Sequence, residues 1–168
     1  MKLFLLGSLS TLLLLCFGGW LVLVLGIYPV NADVDEYWLE KKVAHMAVSA
    51  HVKKQVQGLQ NPIATVTPRI LMAGMKTFKR DCEGCHGSAS NKDATFANSL
   101  YPKAPHFGPD GIDDPVEELF WITKHGIRLT GMPGFRSMLS DDEIWELAVF
   151  MRNIDNLPPE VQSAWESQ

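Results

Sequence analysis

Residues 80–90 read RDCEGCHGSAS and place two cysteines and a histidine within five positions: Cys82, Cys85 and His86. Two thiols one helical turn apart can form thioethers with the two vinyl groups of one porphyrin. The adjacent imidazole can then face the iron. This C-x-x-C-H spacing is the attachment signature of a c-type haem. It predicts one covalent haem c, held by Cys82 and Cys85, with His86 as an axial ligand of the iron.

Other uses of the two cysteines fit the sequence less well. A disulfide or a thioredoxin-like redox pair would give His86 no role, and a thioredoxin-like site expects a βαβ pattern that the sequence lacks. A structural zinc ion needs a second pair of ligands. The remaining cysteine, Cys16, lies in a long apolar segment and is interpreted as a small apolar side chain.

The second axial ligand of such a haem is usually a methionine or a histidine. The candidates in this part of the chain are Met72, Met75, Met132, Met138, Met151, His106 and His125. We predict Met132, because Gly131, Pro133 and Gly134 surround it in a loop between two predicted helices. The methionines on amphipathic helices are expected in the core, and Met138 is expected to pack below the loop.

The amino-terminal segment predicts a membrane anchor. Leu3 to Ile27 carries no charge over 25 residues, and such a helix would be about 37 Å long against a hydrocarbon core of about 30 Å. The apolar stretch of a cleaved signal is usually shorter, about 7–15 residues, and Leu15 is too bulky for a lipoprotein signal at Cys16. Lys2 precedes the segment, so the rest of the chain is expected on the periplasmic side of a bacterial inner membrane, after a single span.

The charge balance excludes some partners. The 168 residues contain 15 Lys and Arg against 19 Asp and Glu, a net charge of −4. A nucleic-acid-binding protein needs a basic face, so nucleic acid is not an expected partner. The mild acidity weakly favours a basic docking partner.

The rest of the sequence predicts an all-α protein without strands, and it divides the chain into four segments. Residues 1–28 are the anchor, 29–66 a periplasmic helical collar and linker, 67–156 the haem domain, and 157–168 a tail. The collar helix is expected over 33–57, ending at Gly58, with a modest apolar stripe of Val43, Ala47, Ala50 and Val56. In the domain, one helix follows the cap Thr67, a second follows Asp114 and Pro115, and a third begins at Ser140 with Glu143 at capping-box spacing.

Three stretches together resemble the signatures of a class I mono-haem cytochrome c, and the extended run at 100–107 and 119–135 also resembles its membrane-anchored bacterial members. The three stretches are AGMKTFKRDCEGCHG at 73–87, GMPGF at 131–135 and SDDEIWELAVFMRNI at 140–154. The resemblance implies the all-α cytochrome c fold around one haem. It also implies that Gly74, Phe78, Trp145 and Phe150 form the contact between the first and last helices of the domain. In YPKAPHF, at 101–107, it implies that the carbonyl of Pro105, preferred over Pro102, accepts the proton on the second nitrogen of His86.

These features predict an electron-transfer protein that is not an enzyme by itself, since two axial ligands leave no position for a substrate. It would carry single electrons on the periplasmic side, either as a tethered carrier or as the electron entry or exit subunit of a membrane respiratory or dehydrogenase complex. Its partners would be redox proteins and the membrane. A haem-based gas or redox sensor, in which a ligand displaces Met132, is the alternative. His125, at a helix end, is expected to cap or pack, and His45 and His51, six residues apart, are not expected to share a metal site.

Overall fold

The computed structural model describes residues 1–89, 95–107 and 112–167. The chain divides into two compact units, Met1–Asn31 and Ala32–Gln168. The first unit contains one helix, α1, at Lys2–Val24, whose 23 residues give a length of about 34 Å. By length and composition α1 is a candidate membrane span.

The second unit is helical, and the described residues contain no strand. The expectation of an all-α domain is therefore confirmed for the described part of the chain. Its helices are α2 at Trp38–Gln55, α3 at Pro68–Asp81, the short α4 at Glu83–His86, α5 at Val116–His125, α6 at Asp141–Arg152 and α7 at Pro159–Glu166, with a 3-10 turn at Ala97–Ser99.

Side-chain caps fix where α3 and α6 begin, as predicted. The Thr67 hydroxyl accepts a hydrogen bond from the Ile70 amide (3.4 Å), and Pro68 occupies the first turn of α3. At the start of α6 the Ser140 hydroxyl accepts from the Glu143 amide, and the Glu143 carboxylate accepts from the Ser140 amide. These hydrogen bonds from Ser140 lower the pKa of Glu143. The anionic carboxylate also suits a helix amino terminus.

The core of the second unit is centred on the contact between α3 and α6. A β-carbon placed on Gly74 would lie 2.2 Å from the backbone oxygen of Glu146 and 2.7 Å from Cβ of Phe150, so the two helices approach too closely for any other residue. The rings of Phe78 and Phe150 are 5.8 Å apart in the same contact. Trp145 stacks instead on Phe120 of α5, at 3.9 Å, so it joins α6 to α5.

Residues 157–168 are more than the expected tail. They contain α7, which packs on α3 through Val161 and Trp165, both buried. Trp165 meets the rings of Phe78 and Phe150 edge-on, at 5.5 and 5.4 Å. The Lys79 ammonium donates a hydrogen bond to the Ala164 carbonyl (2.8 Å) and lies over the Trp165 ring. The aromatic core therefore extends into the last helix.

The collar helix differs from its prediction in two ways. It begins at Trp38 rather than at residue 33. Asp35 and Glu36, which were expected in its first turn, instead precede the helix and contact Lys103. The expected stripe is also not its packed face. Val43, Ala47 and Ala50 are exposed, whereas Val52 is buried. The buried face of α2 lies toward α5, where His51 contacts the Trp121 ring at 5.4 Å.

Candidate haem-binding site

The end of α3 and the single turn of α4 bring the three residues of the C-x-x-C-H motif together. The Cys82 amide donates to the Phe78 carbonyl (2.8 Å), which ends α3. The amides of Cys85 and His86 then both donate to the Cys82 carbonyl, at 3.1 and 2.9 Å. This tight turn presents the two thiols and the imidazole to one cleft.

The two thiols are not joined. All three cysteines lie in the described part of the chain, and each is free. Burial, with a smaller contribution from the Asp81 charge, raises the pKa of Cys82 to about 12. A reactive redox pair needs a thiolate, which a lowered pKa provides. Cys82 therefore lacks the lowered pKa that the reactive thiol of a redox pair has.

His86 is held in one tautomer. Its Nδ1 lies 2.8 Å from the Pro105 carbonyl oxygen, and a carbonyl only accepts hydrogen bonds, so Nδ1 carries the proton. Burial lowers the pKa of His86 and outweighs the bond to Pro105, which raises it. The ring is therefore neutral, with the lone pair on Nε2. That is the form in which an imidazole binds a metal.

Phe107 fixes the plane of the His86 ring. The two rings stack in parallel, with centroids 4.2 Å apart and an interplanar angle of 5°. The Phe107 amide also donates to the His86 carbonyl (3.0 Å). Phe107 lies within the quoted stretch at 101–107, but sequence reasoning assigned it no role. The only sequence signal for its role was its position two residues after Pro105, which places it close to the predicted partner of His86.

Met132 lies in a loop that we call the Met132 loop, residues 126–134, between α5 and α6. The Ile127 amide donates to the Met132 carbonyl (3.1 Å), which closes the loop on itself. The Thr130 hydroxyl donates to the Ile127 carbonyl and accepts from the Met132 amide. Gly126 begins the loop with φ +70° and ψ −175°, a conformation essentially restricted to glycine.

All five predicted site residues line one cleft. It contains about 780 Å³ of empty space and is walled by residues within 81–86, 100–105 and 127–135. The lining is mostly apolar, with Leu100, Ile127 and Phe135 among its walls. Two thiols, an imidazole, a thioether and apolar walls form a donor set that fits a covalently attached haem.

The other candidate ligands lie elsewhere. Met75 and Met151 are buried in the core, and Met72 packs against it, as expected for methionines on helices. Met138 does not pack below the loop, because its side chain is 62% exposed. His106 and His125 are exposed and do not line the cleft.

Burial and the charges of Lys124 and Arg136 lower the pKa of His125. Among the described residues no group of three or more His, Cys, Asp or Glu side chains could hold a metal ion.

Comparison with known families supports the interpretation of this region. Residues 70–151, just under half of the chain, match the family described as cytochrome c oxidase, cbb3-type, subunit III. The match covers α3 to α6 and includes the C-x-x-C-H motif and Met132. It supports a c-type cytochrome domain with the cytochrome c fold, a covalently bound haem c and a function in electron transfer. No curated protein matches the chain.

Proposed function

We propose that the chain is a membrane-anchored mono-haem cytochrome c that carries single electrons on the periplasmic side. In this proposal Cys82 and Cys85 hold one haem covalently, and His86 and Met132 bind its iron. The observation that carries the proposal is that one cleft is lined by all four side chains. The group supplies a one-electron Fe(III)/Fe(II) couple when bound.

The protein residues set the properties of that couple. The Pro105 carbonyl holds the proton on Nδ1 of His86 and keeps Nε2 available for the iron. A methionine thioether as second ligand raises the reduction potential. The apolar lining of the cleft excludes water and disfavours the additional charge of the oxidised state. With His86 and Met132 both bound to its iron, a haem held here would have no position left for a substrate, so electron transfer is the chemistry that these residues would support.

The matched family and α1 together support a place in a membrane complex. The family is named for a subunit of an oxidase, and α1 is a candidate anchor. We therefore favour an electron entry or exit subunit of a membrane respiratory complex over a tethered carrier. A haem-stained native gel of gently solubilised membranes tests this choice. A band in a large assembly supports the subunit, and a band near the monomer mass supports the carrier.

The ligand assignment is tested by replacing Met132 and, as a control, the exposed Met138. Both variants and the unchanged protein are made in a bacterium that attaches haem c. We expect all three to keep the covalent haem, because both thiols remain. Only Met132→Ala opens a coordination position, so only that variant should bind carbon monoxide in the ferrous form, as measured by the shift of the Soret band.

The other outcomes contradict specific parts of the proposal. Carbon monoxide binding by the unchanged protein would favour the sensor alternative. Binding by Met138→Ala instead of Met132→Ala would overturn the assignment of Met132. Replacement of both Cys82 and Cys85 by Ser should abolish the haem band that survives denaturing electrophoresis. Persistence of that band would overturn covalent attachment.

A further inference from the structure

The loop that carries the Pro105 carbonyl is contacted from outside the cytochrome domain. We call residues 100–107 the Pro105 loop. Leu100 and residues 102–105 line the cleft. The loop also meets the segment that leads into α2 and the first turn of α2. The Lys103 amide donates to Oε1 of Glu36 (3.1 Å), and the Tyr101 hydroxyl donates to Oε2 of Glu40 (2.8 Å).

The two glutamates are suited to fix a loop. The Glu36 side chain is only 13% exposed and also receives the Lys41 ammonium at 3.2 Å, so its carboxylate is bound from two directions. Glu40 and Tyr101 are half-buried. Hydrogen bonds to a charged acceptor are the stronger ones, and partial burial reduces competition from water.

A third contact in the same place serves as an internal contrast. The Lys103 ammonium lies 3.0 Å from Oδ1 of Asp35, but that carboxylate is 95% exposed. An ion pair at such a site contributes little, because water screens it and two long side chains must be ordered to form it. The loop is therefore held by Glu36 and Glu40, and Asp35 adds a charge nearby without adding much restraint.

We infer that Glu36 and Glu40 are positioning residues, which hold the Pro105 loop so that its carbonyl stays bonded to Nδ1 of His86. The hydrogen bond from His86 to a carbonyl makes the imidazole a stronger donor to a metal. A looser loop weakens that bond, makes His86 a poorer donor and favours the reduced iron. The inference rests on the proposed function, and it makes the collar part of the haem site rather than a spacer.

The test uses the full-length, haem-loaded protein with four variants: Glu36→Ala, Glu36→Gln, Tyr101→Phe and Asp35→Asn. Tyr101→Phe removes only the hydroxyl that Glu40 accepts from and changes no charge. Glu36→Gln removes the charge but keeps an oxygen acceptor for the Lys103 amide. Midpoint potential is measured by redox titration. The exchange rate of the His86 Nδ1 proton is measured by NMR on the ferrous form.

We expect Glu36→Ala and Tyr101→Phe to raise the midpoint potential. We also expect them to accelerate exchange of the His86 Nδ1 proton by about fivefold, the factor that follows from losing one net hydrogen bond of about 1 kcal/mol. Glu36→Gln should stay closer to the unchanged protein than Glu36→Ala does, and Asp35→Asn should show no acceleration.

Three results would overturn the inference. Unchanged exchange and potential in Glu36→Ala and Tyr101→Phe, with full haem content, would show that the loop holds Pro105 unaided. Equal shifts in Glu36→Ala, Glu36→Gln and Asp35→Asn would show an effect of charge rather than of position. Acceleration in Asp35→Asn alone would assign the restraint to the exposed pair. In each case the haem spectrum of the unchanged protein still tests the proposed function separately, because absence of covalent haem there would contradict that proposal instead.

Discussion

The Met132 loop and the Pro105 loop face the same cleft and are held in opposite ways. They touch where Gly131 lies so close to Leu100 that a β-carbon on Gly131 would be 2.8 Å from a Leu100 methyl group. The Met132 loop is fixed by its own backbone groups, by the Thr130 hydroxyl and by the carboxyl-terminal end of α5. The Ile127 amide bonds to the Met132 carbonyl, and the Phe135 amide bonds to Thr123 of α5. Its restraints are local in the sequence.

The Pro105 loop is fixed by side chains from distant parts of the chain. Its contacts with the start of the collar join residues 61 to 68 positions apart, and Phe107, its last residue, stacks on the His86 ring. The loop therefore depends on tertiary packing that forms only when the collar and the core are in place. The two sides of the cleft should consequently fail under different mutations. The Ile127 amide, bonded across the Met132 loop, and the Phe107 amide, bonded to the His86 carbonyl, can report that difference.

The largest expected loss of stability comes from a substitution in α7, which supports the Pro105 side of the cleft. Trp165 packs on Phe78, Phe78 lies 6.3 Å from Phe107, and Phe107 stacks on His86. Removing a buried indole costs the transfer of its surface and leaves a cavity. We expect Trp165→Ala to lower the free energy of unfolding by about 3–5 kcal/mol, measured by urea denaturation of the haem-loaded protein followed by circular dichroism.

The same variant distinguishes the two loops. Hydrogen exchange should accelerate more at the Phe107 amide than at the Ile127 amide, because the ring of Phe107 loses the support that reaches it through Phe78. Trp165→Phe, which keeps an aromatic ring in place, is the matched control and should recover most of the loss. Equal acceleration at the two amides would mean that the loops are not independently held.

The next effect comes from the Met132 side, at Gly126. A β-carbon there would lie 2.6 Å from the Gly134 amide nitrogen and 2.7 Å from the Met132 carbonyl oxygen, both backbone atoms that cannot turn away. The positive φ adds about 1–3 kcal/mol of strain for any other residue. Gly126→Ala should therefore cost at least about 2 kcal/mol of stability and should accelerate exchange at the Ile127 amide more than at the Phe107 amide.

Gly58 supplies the control for this prediction. It also has a positive φ, +80°, but a β-carbon there would meet nothing within 4 Å. Gly58→Ala measures the strain alone. A loss of stability equal in both variants would show that the Met132 loop can widen without cost, and would contradict its description as a loop fixed by its own backbone.

The same contrast explains what could be predicted from the sequence. The restraints on the Met132 loop are local, so its glycines and proline were enough to predict a constrained loop from the sequence. The helix caps at Thr67 and Ser140 could be predicted for the same reason. The C-x-x-C-H motif needs only one helical turn to bring its residues together. The restraints on the Pro105 loop have no such pattern, because Glu36 and Glu40 are ordinary charged residues at the start of a helix until folding places them beside Lys103 and Tyr101.

The missed helix is a different case, since its signals were present. Pro159 lies in the first turn of α7, and Val161 and Trp165 are four positions apart, the spacing of one helix face. Eight residues are too few for a persuasive periodicity, and the helix is stabilised by tertiary contacts with Phe78 and Phe150. The roles of Cys82, Cys85, His86, Met132 and Pro105 in binding haem remain predictions that the variants described above test.

The smallest expected effect is a pH dependence of stability that should act on the Met132 loop and not on the Pro105 loop. His125 ends α5 directly before the Met132 loop, where it contacts the Trp121 ring and faces Lys124, Arg136 and Asp141. Burial and the two cations lower the pKa of His125, against a smaller opposing effect of Asp141. The unfolded chain therefore takes up a proton near the ordinary value of about 6.5, whereas the folded chain resists it. Stability from this group is complete above that pH and is lost as the pH falls toward the folded pKa.

His125→Gln should thus flatten the dependence of unfolding free energy on pH below about 6.5, measured by urea denaturation at a series of pH values. Because the histidine lies at the base of the Met132 loop, an acid-induced loss of protection from exchange should appear at the Ile127 amide and disappear in the variant. The Phe107 amide should show no such difference between the two proteins. An unchanged slope in His125→Gln would assign the acid sensitivity to other groups. A change at Phe107 instead would mean that protonation at the end of α5 reaches the Pro105 loop through the contact between Gly131 and Leu100, and the two sides of the cleft would then act as one.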